Sequence, residues 1–270
     1  MTIRHEKKYT GRRIALWIFF GVLSVLFMIP LYALLLGTFK GGAELFVSGL
    51  NLNPTPEKLH LKAWTYLFTG VMSNGELNPH DYFRWYGNSL MVVVIQTVLT
   101  LLLSSMVAYG FAKYKFKGQN ALFMCVLMVM MVPLEILMLP FLVSMSAVFF
   151  FRQFLTGIPY EMIEAGRIDG CTEYGTFFRI IMPTMIPAYA SMTVLTGMGA
   201  WNALLWPMLV ISDMKKYTIP IGLNTLWSPY GNNYDLMITG SCFAILPLLL
   251  IYLFAQKFIV EGMTAGAVKG

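Results

Sequence analysis

The residues able to do covalent or metal chemistry are few and scattered. Three histidines (His5, His60, His80) and three cysteines (Cys125, Cys171, Cys242) stand far apart in the 270-residue chain, with no HExxH and no Cys-x-x-Cys. That spacing offers neither a metal cage nor a disulfide framework, so no metal or cofactor is expected. There is no GxxxxGK[ST] phosphate loop, so ATP hydrolysis by that route is excluded. An enzyme working in an apolar setting would need a paired nucleophile and base, or acids and histidines at helical spacing. Glu135 is the one carboxylate lodged within the apolar runs, and it reads as an interfacial group near a chain turn rather than a working acid. The chain is therefore expected not to be an enzyme. What stands out is the run Glu164-Ala-Gly-Arg-Ile-Asp-Gly170 and its continuation to Pro183, a polar stretch between long apolar segments.

Local rules give that stretch a shape. Ile158-Pro159-Tyr160-Glu161 can start a short helix, because Pro fits a first turn and acids favour its positive end. Met162, Ile163, Ala165 and Ile168 are expected to form its apolar stripe, with Glu164 and Arg167 on the polar flank. Gly170 can stop the helix and turn the chain. Such a small amphipathic helix, held between two anchored spans, can present an edge to a soluble partner or lie on lipid. The pattern alone leaves both open.

The rest of the chain is built to live in a bilayer. Hydrophobic residues make up 57% and charged residues 12%, with a mean hydropathy of +0.66. A soluble domain would carry about 25% charged residues, so lipid must solvate most of this surface. Clear spans are expected at about 14–36, 90–111, 186–211 and 236–259, each long enough for a ~30 Å hydrocarbon layer. The first apolar run is longer than a leader's and lacks an Ala-x-Ala site, so it is read as a retained span. Residues 39–86 and 212–235 form the long polar connections.

Charge sets the orientation. Most of the 19 basic residues fall in four places: Arg4, Lys7, Lys8, Arg12 and Arg13; Lys113, Lys115 and Lys117; Arg152, Arg167 and Arg179; Lys257 and Lys269. The positive-inside rule makes these segments, both termini included, cytoplasmic. The formal charge of +6 thus orients the chain and does not point to nucleic acid. The orientation requires an even number of crossings within Ala121–Phe151. That block is only 31 residues long and contains Pro133 and Pro140. Two arms of about 15 residues reach ~23 Å each, short of a bilayer. The spans expected there, 121–136 and 138–152, are shortened.

Glu164, Ala165, Gly170, Ile180 and Pro183, with Asp169, resemble the "EAA" loop of binding-protein-dependent ABC importer permease subunits. The loop departs from that pattern at Gly166 and Cys171, usually Ala, and at Met182, usually Leu; Gly166 should loosen the helix slightly. Further matches are Tyr86-Gly-Asn88-Ser89, Ala108-Tyr109-Gly-Phe-Ala112-Lys113, Trp201-Asn202-Ala-Leu-Leu-Trp206-Pro207 and Tyr217-Thr-Ile-Pro220-Ile-Gly222-Leu223. The tail Glu261–Gly270 is similar to that of the maltose-type carbohydrate permease subunit without a large external domain. The resemblance runs from about residue 13 to 270. Pro133-Leu-Glu135 resembles the end of a third span, and Phe149-Phe-Phe-Arg152 the later half of a fourth; roughly twenty residues of the family pattern between them are missing.

The resemblance implies an all-α polytopic membrane protein, one permease domain over residues 1–270, with six transmembrane helices. It implies a permease subunit of an ATP-driven sugar or oligosaccharide importer in the cytoplasmic (inner) membrane. The coupling loop, about 158–183, would meet the ATPase through Glu164, Ala165, Gly166, Asp169 and Gly170, and the tail through Gly266 and Lys269. The implied partners are a second permease subunit, two ABC ATPase subunits, an extracytoplasmic solute-binding protein, sugar and membrane lipid. A non-sugar solute such as glycerol phosphate, or an inactive deletion variant, is the alternative. A secondary transporter is disfavoured, because ion coupling usually leaves more polar residues at mid-membrane.

Overall fold

The computed structural model describes residues 3–40, 52–53, 59–71, 77, 80–132, 142–227 and 233–265. Pro133, Glu135 and Pro140 lie outside these residues, as do Gly266 and Lys269. The chain divides into two compact units, Met1–His80 with Thr225–Phe243, and Asp81–Asn224 with Ala244–Gly270.

In the first unit α1 (Ile3–Lys40) runs as one helix through Pro30. From residue 11 to 32 nearly all of its residues are exposed, Trp17 at 78% and Val25 at 66% among them, as befits a helix whose solvent is lipid, whereas Leu36 near its end is buried. The short α2 (Lys62–Thr69) buries Ala63, Tyr66 and Leu67 and stops at Gly70, whose φ of 71° lets its N–H reach the Tyr66 carbonyl. Tyr66 is also an anchor. Asn233 donates to its hydroxyl at 2.7 Å, and the Asn233 side-chain oxygen accepts from Leu236 N at 3.1 Å. That second bond caps the helix Tyr234–Ala265, which begins in this unit.

The second unit is organised around α3 (Tyr82–Lys113), with α4 (Gln119–Met130), α5 (Met145–Thr156), α6 (Glu161–Ile168), α7 (Glu173–Thr184), α8 (Ile186–Trp201), α9 (Leu205–Val210) and α10 (Ile219–Thr225) following in order. The helix Tyr234–Ala265 is α11. On α3 the buried positions are mostly small or hydroxylated: Ser89, Val93, Thr97, Thr100, Ser104, Ser105 and Ala108. Small residues let helix backbones approach in a membrane, where apolar burial against lipid gives no net drive. Gly197 of α8 fits this stripe, since a Cβ there would stand 3.7 Å from Thr97 Oγ1. The Tyr189 hydroxyl of α8 donates to Ser105, and Ser104 Oγ accepts from Ser144 N at 3.0 Å at the start of α5. Ser144 in turn caps α5 by accepting from Ala147 N at 3.3 Å.

Below this stripe the core closes with larger side chains. Tyr109, Val148, Phe151, Leu155, Ile163, Phe177, Ile181 and Met185 form one buried cluster toward the C-terminal end of α3. The cluster is the floor on which α6 rests.

Among the described residues, three helices are long and apolar enough to cross a membrane: Gly11–Lys40, Tyr82–Lys113 and Tyr234–Leu253. The pair α7 and α8 adds a fourth if counted as one span, bent by 80°. Prolines account for the bend. Pro183 and Pro187 have no N–H to give to the carbonyls four residues back. At the break the ladder tightens, Met185 N bonding to Met182 O at 3.1 Å, and upstream it widens to a π turn over Phe177–Ile181, where Met182 N bonds to Phe177 O. α4 and α5 have 12 residues each, about 18 Å at 1.5 Å per residue.

Candidate functional site

The polar stretch folds as a helix, a tight turn and a second helix. α6 begins just after Pro159 with Glu161 and Glu164 in its first turn. It ends in a paired carbonyl cap. Gly170 N donates to Arg167 O at 3.1 Å and Cys171 N to Gly166 O at 2.9 Å, with Gly170 at φ +77°. This is the Schellman arrangement, and it requires a left-handed residue at Gly170. Thr172 then starts α7, its hydroxyl accepting from Gly175 N at 3.1 Å.

A Cβ at position 170 would meet nothing within 4 Å, so only backbone conformation restricts this site. Gly170→Val is expected to cost about 1–2 kcal/mol, and more for its β-branch. Gly170→Asn should cost much less, because Asn tolerates the left-handed region. Thermal unfolding of the two variants in detergent checks the order.

α6 is tied to α3 at its entrance and at its exit. At the entrance, Lys113 Nζ donates to the Ile158 carbonyl at 2.6 Å. At the exit, Arg167 donates to Glu173 Oε1 from Nη2 at 2.8 Å and from Nε at 2.9 Å. The Tyr114 hydroxyl donates to Glu173 Oε2, and Arg167 Nη1 to the Tyr160 hydroxyl at 3.2 Å. The bond from Tyr114, then the one from Arg167, hold the Glu173 carboxyl below its ordinary pKa. A depressed folded-state pKa makes this pairing fully present above the ordinary carboxylate range, and it is lost as pH falls through the lowered value.

Burial on α6 differs from the expected stripe. Ile163 and Gly166 are buried and Met162 packs half-buried on the core, whereas Ala165 is exposed and Ile168 is 85% exposed. At 100° per residue, Met162, Ile163 and Gly166 share one face, and Glu161, Glu164, Ala165 and Ile168 share the opposite one. Of the candidate residues, Glu164, Ala165, Asp169 and Gly170 are exposed together. Gly166 faces inward. A Cβ on it would lie 2.7 Å from Ile180 Cδ1 and 3.1 Å from Thr176 Oγ1, so this glycine permits close seating of α6 on α7. Its packing role could not be read from helix propensity. Nothing in the sequence marks Ile168 as a surface knob, or Glu173 as a partner of Arg167, since that pairing crosses the Gly170 turn and follows no helical spacing.

A second constellation forms at the opposite end of α3. Trp85 Nε1 donates to Met214 O at 3.0 Å, and Asn88 Nδ2 to the carbonyls of Lys215 and Tyr217 at 2.9 and 3.0 Å. Ser89 Oγ accepts from Ile219 N at 2.8 Å. Tyr86 packs edge-on against Trp201 at 5.4 Å. Three of the singled-out motifs, around Tyr86–Ser89, Trp201 and Tyr217–Gly222, thus become one clasp.

Both constellations fall inside the stretch that matches a known family. Residues 82–264 match the binding-protein-dependent transport system inner membrane component. The chain is 46% identical to the arabinooligosaccharides transport system permease protein AraQ of Bacillus subtilis (strain 168), covering 99% of this chain and 100% of that one. It is 31% identical to the probable starch degradation products transport system permease protein AmyC of Thermoanaerobacterium thermosulfurigenes, over 98% of each. The alignment with AraQ spans 288 positions, more than this chain has residues, so that relative carries residues which this chain lacks. In fold the chain matches a chain of a bacterial ABC transporter involved in the import of the acidic polysaccharide alginate, with TM-score 0.77, 16% identity, and 95% and 98% of the two chains covered. The chain belongs to the binding-protein-dependent transport system inner membrane components, with an ABC importer permease fold.

Proposed function

We propose that this chain is one of two permease subunits of an ATP-driven importer for a sugar or oligosaccharide, and that α6 is where an ATPase subunit docks. The observation that carries the reading is the outward face of α6. Ile168 is 85% exposed beside the small Ala165, with Glu161, Glu164 and Asp169 around them. An apolar knob with a small neighbour and an acidic rim suits a cleft on a soluble partner better than a lipid surface, where acids would be repelled by anionic headgroups. The helix behind it is fixed to α3 at both ends, so a push on α6 would be conducted into the bilayer.

In this reading a solute-binding protein delivers to the polar connections 39–86 and 212–235, and ATP closes two ATPase subunits. The α6 loop, with contacts from Gly266 and Lys269 of the tail, carries that closure to the spans as alternating access. Six crossings place both termini in the cytoplasm. Gly166 belongs to the seating of α6 rather than to its contact surface. The names of the relatives favour an oligosaccharide, such as one built of arabinose, as the solute.

Ile168→Glu tests the docking. The side chain is exposed, so folding should be untouched. The ATPase subunit recovered with the permease should fall by about tenfold, the equivalent of 1.4 kcal/mol. Unchanged recovery would remove α6 as the docking element.

A further inference from the structure

We infer that Glu173 is the positioning residue that makes α6 and the C-terminal end of α3 move as one body. The inference rests on the reading of α6 as the ATPase contact. Three elements converge on this one carboxylate. Oε1 takes two donors of Arg167, in the last turn of α6, at 2.8 and 2.9 Å. Oε2 takes the hydroxyl of Tyr114, the residue that ends α3. Glu173 itself opens α7, and the left-handed turn at Gly170 brings it back beside α6.

The parts around it are stiff. A planar guanidinium bonded twice to one carboxylate fixes an angle as well as a distance. Tyr160, at the start of α6, accepts from the third nitrogen of Arg167 at 3.2 Å. Tyr114 is backed edge-on by Tyr109 at 5.6 Å, and Tyr109 by Phe177 at 5.2 Å, which leads into the buried core. Without Glu173 the exit of α6 would lose its polar tie to α3, leaving the Lys113–Ile158 bond at the entrance.

Exposure separates a positioning role from a stabilising one. The side chains of Arg167 and Glu173 are 41% and 47% exposed, and exposed pairs add little to stability. A network of this kind is expected to set geometry while leaving the fold nearly as stable without it.

The test uses the whole importer in proteoliposomes, with the binding protein and arabinotriose as the probe, reading solute taken up per ATP hydrolysed. Glu173→Ala and Tyr114→Phe should each lower that ratio about fivefold, the lower end of typical coupling between sites, while the ATPase still co-purifies. The swap Arg167→Glu with Glu173→Arg, which rebuilds the pair in reverse, should recover most of it. A wild-type ratio in Glu173→Ala alongside an uncoupled Ile168→Glu would overturn the strut and leave the docking reading standing. If Ile168→Glu also behaves as wild type, the docking reading falls and takes the strut with it. Should Glu173→Ala fail to accumulate, Tyr114→Phe decides, because it removes a single oxygen. No recovery in the swap would assign the loss to folding and count against positioning.

Discussion

Gly222→Ala is expected to be among the most damaging single methyl additions in this protein. A Cβ at Gly222 would stand 2.0 Å from Cε3 of Trp85 and 2.3 Å from Cδ2, inside the indole ring. The ring cannot swing away freely. Its Nε1 is bonded to Met214 O at 3.0 Å, and the neighbouring Asn88 and Ser89 hold the same segment through Tyr217 and Ile219. Relief therefore requires α10 to lift from α3, which breaks the clasp. Overpacking in a filled site costs about 1–3 kcal/mol and sometimes more; with backbone displacement and lost hydrogen bonds, the upper end is expected here. Gly199→Ala supplies the contrast, since a Cβ on that helical glycine meets nothing within 4 Å and Ala is favoured over Gly in a helix by about 1 kcal/mol. Thermal unfolding in detergent should show a large fall for the first variant and none for the second. Equal midpoints would mean that the clasp does not hold α10.

How much of this was legible beforehand depends on the range of the interaction. The start of α6 after Pro159 and its stop at Gly170 follow from local rules, and the structure places both there. The buried face of α6 did not follow, because eight residues with apolar side chains on two sides permit two choices. The choice was made by the floor beneath it, Ile180 and Thr176 fitting only against Gly166. The clasp was visible as three separate motifs but not as one site, since Asn88 and Tyr217 are joined only after α3 and the later helices have packed. The 80° bend at Met185 was prefigured by Pro183 and Pro187, though prolines near a span's start read equally well as ordinary entry residues.

Cys171 should be unreachable by a membrane-impermeant maleimide added to intact cells, and should label once the membrane is opened. The structure supplies a reason that charge alone did not. Lys113 Nζ bonds to Ile158 O at 2.6 Å, so the end of α3 and the start of the α6 loop lie on the same side. α5 begins beside Ser104, inside α3, and runs toward Lys113, while Phe123 of α4 stacks on Phe149 and lies under Arg152 at 3.9 Å. α4 and α5 thus run antiparallel, the start of α4 lying beside Phe111 and the end of α5 toward Lys113, as expected of two short crossings. A single crossing would have to tear these contacts apart and carry Arg152, Arg167 and Arg179 through the bilayer, at a few kcal/mol per charge. Short arms instead cost fractions of a kcal/mol per Å of mismatch. With Lys113, Lys115 and Lys117 beside these helices, the positive-inside rule predicts a cytoplasmic position for that face. The experiment is cleanest with Cys125→Ser and Cys242→Ser, which leave Cys171, half-exposed after the Gly170 turn, as the one thiol of the chain. Labelling from outside would mean one crossing in place of two, an inverted α6 loop and a subunit that no cytoplasmic ATPase could drive.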